Sequence, residues 1–112
     1  MSKFDDAIEL YTSSAKDLGI AIDADLLSKV TKGLGPSIYN VDSSKVSGTD
    51  PDELARVKNN FLIKKLGLTD GPELDAAIAG VVETMGSSNR NKYRAVFYYL
   101  LVEKFGKQSV YA

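Results

Sequence analysis

The sequence predicts an all-α fold, and three observations carry that expectation. Apolar residues recur at steps of three and four through most of the chain. No period-two alternation survives five residues outside those segments. Glycines close the segments one after another, as helix stops do. The expected architecture is a compact single-domain bundle over residues 1–112, with about five helices plus one short helix and the C-terminal helix at its centre.

Phe4, Ile8, Tyr11, Ala15 and Leu18 form the first stripe. Ser2 is placed to cap it with Asp5 in the box position, and Gly19 closes it before Ile20 and Ile22 pack back. Asp23 opens a second helix from Ala24 to about Lys32, with Leu26, Leu27 and Val30 inward and Gly33 as its stop. Gly35-Pro36 starts a short helical turn through about Tyr39, because proline suits a first helical position. Residues 40–49 form a long irregular connection.

Asp50-Pro51-Asp52-Glu53 reads as a helix start: a capping aspartate, proline first, glutamate third. Leu54, Val57, Phe61 and Leu62 face inward, and Gly67 ends that helix. Gly71-Pro72-Glu73 opens the next, with the stripe Leu74, Ile78, Val81 and Met85 and the stop Gly86. Ser87-Ser88 then start the last helix, which runs to Phe105. Residues 95–102 are apolar nearly all round, so Phe97, Leu100 and Leu101 are expected in the core. Of Tyr93, Tyr98 and Tyr99, at least one hydroxyl is expected on a buried partner and another tyrosine exposed.

The chain has no cysteine and no histidine. That excludes disulfides, thiolate or imidazole metal sites, cysteine nucleophiles and histidine acid–base steps, and no cofactor is implied. The net charge is −1, without the basic excess of a bulk nucleic-acid binder. The longest apolar run is eight residues, against about 20 for a membrane span. The start is acidic and amphipathic, unlike a signal peptide, so the expected location is the cytoplasm. Charge is uneven: residues 1–53 hold five lysines against ten acids, and residues 54–112 hold nine Lys/Arg against five. The halves either attract each other or leave a basic face for an anionic partner.

Few residue patterns suggest chemistry. The carboxylates at Asp23/Asp25 and Asp50/Asp52/Glu53 sit at helix starts, where capping explains them better than Mg²⁺ or Ca²⁺. Gly33-Leu-Gly35 lacks the third glycine of a dinucleotide loop. Arg56, Lys58, Lys64 and Lys65 form a candidate basic surface, which as a solvated face needs no function. Ser88, Arg90, Asn91 and Arg94 are a candidate anion or partner site at the start of the last helix, where the dipole disfavours cations. Either an anion sits there, or the arginines pair with acids such as Asp5, Asp6, Glu9 or Asp17. The ion-pair reading is preferred.

The runs GLGPSIYN (33–40), KNNFLIKKLGL (58–68), DGPELDAAI (70–78) and GSSNRNKYRAVFYYLL (86–101) resemble a family of small bacterial all-helical proteins of unknown function. The resemblance implies a bacterial cytoplasmic domain with no assigned activity, and it supplies no catalytic residues. The function expected from the residues is a non-catalytic protein-interaction or adaptor module with an unknown protein partner. The alternative is a module binding a small anion or a nucleic-acid backbone. An enzyme using carboxylate, Lys, Arg, Tyr or Ser chemistry ranks third. The expected state is a monomer or weak homo-oligomer, with the tail at Val110-Tyr111 packed on its own chain.

Overall fold

The computed structural model of the chain describes residues 3–40, 44–48, 50–86, 89 and 92–111. Its helices are α1 (Lys3–Asp17), α2 (Ala24–Leu34), α3 (Pro51–Arg56, continuing as π-helix through Val57–Ile63), α4 (Pro72–Met85) and α5 (Arg94–Phe105). Short 3₁₀ turns follow α2 (Gly35–Tyr39) and α5 (Gln108–Tyr111). The described residues contain no strand.

The stripe of α1 packs as its spacing predicts, with Tyr11 and Ala15 buried and Phe4, Ile8 and Leu18 at the edge of the core. Ser2 lies outside the described residues. At the other end Gly19 takes φ +76°. Its N–H donates to Lys16 O (3.0 Å), and Ile20 N–H to Ala15 O (2.9 Å). This paired closure satisfies two orphan carbonyls of the last turn. No atom would meet a Cβ at Gly19, so Gly19→Ala tests the backbone alone. Urea unfolding should show a loss of about 1 kcal/mol.

Asp23 caps α2 through Oδ1, which accepts from Asp25 N (3.0 Å) and Leu26 N (3.4 Å). Gly33 does not stop this helix. The helix runs to Leu34 and closes at Gly35, φ +67°. Gly33 is exposed, and a Cβ there would meet Tyr111 Cε1 at 3.6 Å, an ordinary van der Waals contact. The C-terminal tail therefore folds back onto α2 of its own chain. Burial pushes the Tyr111 phenol up to about 12, with a smaller push from Tyr98.

The π-helical stretch departs from the expected plain helix, and the residues explain it. Val57, Phe61, Leu62 and Leu66 are all buried, whereas Lys64 and Lys65 are exposed. At about 3.6 residues per turn Leu66 would lie opposite Val57 and Lys64 would share its face. Wider turns resolve the conflict, with Lys64 N–H donating to Asn59 O (3.3 Å) and Leu66 N–H to Phe61 O (2.9 Å).

The stripe of α4 is buried as expected, Leu74, Ile78, Val81 and Met85 among it. The last helix starts at Arg94, since Lys92 and Tyr93 are not helical; the expected start at Ser87-Ser88 lies outside the described residues. Residues 92–94 pair with the 44–46 segment instead. Val46 N–H donates to Lys92 O (2.8 Å) and Arg94 N–H to Ser44 O (2.7 Å), with Lys45 opposite Tyr93.

Helix α5 is central as predicted and packs against α1, α2 and α4. Phe97 and Leu101 are fully buried. Leu100 is only half-buried, a correction to the expected core: its i+3 and i+4 neighbours Glu103 and Lys104 are exposed, so it lies on the solvent side.

None of the three tyrosines of this region is exposed. Tyr98 and Tyr99 are buried, and half-buried Tyr93 packs on Tyr11 with ring centroids 5.1 Å apart. Tyr99 Oη accepts from Asp23 N–H (2.8 Å), tying α5 to the start of α2. Tyr99→Phe should lower stability by about 1 kcal/mol in thermal unfolding.

Candidate functional site

The Asp50 cap fixes the first turn of α3: its Oδ1 accepts from Asp52 N (3.0 Å) and Glu53 N (3.5 Å). Glu53 therefore faces the start of α5. Its carboxylate accepts a hydrogen bond from Arg94 Nη2 through Oε1 and from Arg56 Nη2 (2.8 Å) through Oε2. Arg94 also donates to Tyr98 Oη (3.0 Å) and Lys45 O (3.3 Å). The Tyr98 ring stacks on Phe61 at 3.9 Å.

Burial works to raise the Glu53 pKa, but the hydrogen bonds from Arg56 and Arg94 outweigh it and hold the carboxyl below its usual range. Burial also opposes the charge on Arg94, yet Tyr98 and Glu53 leave its pKa raised. A cation in the first turn of a helix is compensated by a carboxylate from the acidic half of the chain. That carboxylate is Glu53, which was not among the acids expected for the role. The glutamate expected at the third position of a helix start is used across the interface rather than on its own cap.

Of the candidate anion site, Arg94 is placed in this network, while Ser88, Arg90 and Asn91 lie outside the described residues. Neighbouring Lys92, which sequence reasoning did not single out, is 2% exposed. Its Nζ donates to Asn89 O (2.6 Å), and burial pushes its pKa down. Gly48 lies against its stem, where an added Cβ would sit 3.0 Å from Cε. Nothing in a single Lys among polar neighbours signals such burial in advance.

The candidate basic surface separates into four environments. Arg56 is bound to Glu53. Lys58 reaches Asp70 (2.9 Å) and Asp75 (3.3 Å), and those carboxylates raise its pKa while the Lys58 ammonium lowers that of Asp70. Lys65 lies over the Tyr111 ring at 5.3 Å. Exposed Lys64 has no carboxylate within ion-pair distance among the described residues.

A groove of about 330 Å³ runs between α3 and α4. Pro51, Leu54, Ala55 and Asn59 line one wall, Asp75, Ile78 and Ala79 the other, and Lys58 spans them. Its apolar floor is buried Ile78 and half-buried Leu54, and Ala55 and Ala79 are exposed along it. Asn59 belongs to the π-helical stretch. No signal in the sequence marked this groove, since Ala55 and Ala79 read as ordinary helix surface.

Among the described residues, no group of three acidic, cysteine or histidine residues could hold a metal ion, and no helix is long and apolar enough to cross a membrane. No curated protein matches the chain. Residues 10–109 match a family described as proteins of unknown function, DUF2853. A match over nearly the whole chain places the protein in that family.

Proposed function

We propose that the protein is a non-catalytic interaction module and that a partner protein docks in the groove between α3 and α4. The observation that carries this is the groove itself: an open apolar trough edged by polar groups, with small exposed alanines leaving its floor accessible. The π-helical wall adds support, because such turns occur frequently at functional sites. A catalytic reading draws little from the half-buried carboxylate Glu53, whose lowered pKa is opposite to what a general acid needs. The anion-binding alternative loses the guanidinium donors that Arg94 directs to Glu53, Tyr98 and Lys45. The absence of cysteine suits a reducing bacterial cytoplasm, where the module acts as a monomer or weak homo-oligomer.

A photo-crosslinking residue at position 55, with position 10 on exposed α1 surface as control, tests the reading in cells. A discrete protein adduct at position 55 and none at position 10 is expected. Equal adducts at both positions, or none at either, would overturn it.

A further inference from the structure

We propose that the segment docking in this groove is basic and amphipathic, an apolar anchor flanked by lysines or arginines; this rests on the docking reading above. The groove's local charge runs against the basic character of the chain's second half. Asp75 lines it, and Asp70 lies 2.9 Å from Lys58 Nζ. Asp70 and Asp75 share the single lysine and keep side-chain exposures of 67% and 66%. One cation between two carboxylates leaves this rim with a net negative charge. Arg56, the nearest other cation in sequence, is held by Glu53.

The floor, by contrast, is uncharged: Pro51, Leu54, Ala55, Ile78 and Ala79. An apolar anchor on the floor with cations at the rim would bury aliphatic surface and complete the partly neutralised Asp70/Asp75 pair. An acidic segment would bring like charges together there.

The test titrates the full chain, by fluorescence anisotropy, with two short helical peptides sharing one Leu/Ile stripe. One carries lysines beside the stripe, the other glutamates. The lysine peptide is expected to bind at least about tenfold tighter, a difference of about 1.4 kcal/mol. Asp70→Asn and Asp75→Asn should each weaken it about two- to fivefold, and Ala79→Arg should abolish it. If Asp75→Asn loses helicity by circular dichroism, Asp70→Asn carries the charge arm alone. Equal binding of both peptides, lost on Ala79→Arg, would overturn the charge preference and leave the docking reading standing. Tighter binding of the glutamate peptide, or no binding of either, would also overturn it. In each case the position-55 crosslink decides the docking reading separately.

Discussion

Leu101→Ala should cost about 2–5 kcal/mol, from lost transfer energy plus the cavity left behind. Leu101 is fully buried on the helix that touches α1, α2 and α4, so three neighbours would have to move to close the gap. A domain of this size has about 5–15 kcal/mol in all, so the loss would be evident as a large drop in the urea midpoint. Leu100→Ala, one residue earlier at the edge of the core, should cost about 1–2 kcal/mol, less than Leu101→Ala. Similar losses at the two positions would contradict the orientation of α5.

Arg94→Met should cost about 2–3 kcal/mol. The pair it breaks is mostly buried, with side chains 16% and 14% exposed, and removing one partner leaves Glu53 short of a donor. Glu53 keeps Arg56, which holds the cost below that of a fully buried charge. The same variant changes the response to acid. The folded-state pKa of Glu53 lies below its ordinary value of 4.5. Its stabilisation is therefore fully present above about pH 4.5 and lost as pH falls through the lower, folded value. In Arg94→Met this acid-side fall should be shallower, as thermal unfolding at a series of pH values would show. An unchanged slope would mean that Arg94 does not set the charge of Glu53.

What could be read in the sequence was whatever depends on local chemistry. Asp23 and Asp50 cap because an aspartate side chain reaches N–H groups two and three residues on, whatever the tertiary structure. Gly19, Gly67 and Gly86 all take positive φ, the conformation their stop positions require. Gly33 misled because a second glycine follows two residues on, and Gly35 at φ +67° is the one that closes the helix. The late start of α5 depends on backbone bonds to residues 44 and 46, which no local pattern announces. The π-helical register, however, was written in the order of residues. Buried positions 57, 61, 62 and 66 with lysines at 64 and 65 fit steps of four and five, and fit an α-helix poorly. The charge asymmetry between halves pointed to an internal pairing, and Arg94 with Glu53 is such a pair, although the acid expected was on α1 rather than α3.

If the cations hold the fold together and the groove meets the partner, one capture experiment separates the two roles. Wild type, Ala79→Arg and Arg94→Met are immobilised at a temperature where circular dichroism shows all three folded, and the amount of the protein crosslinked at position 55 is measured on each. Arg94→Met should retain that partner at the wild-type level, and Ala79→Arg should lose it. Retention by Ala79→Arg with loss on Arg94→Met would place the partner at the start of α5 and contradict the groove.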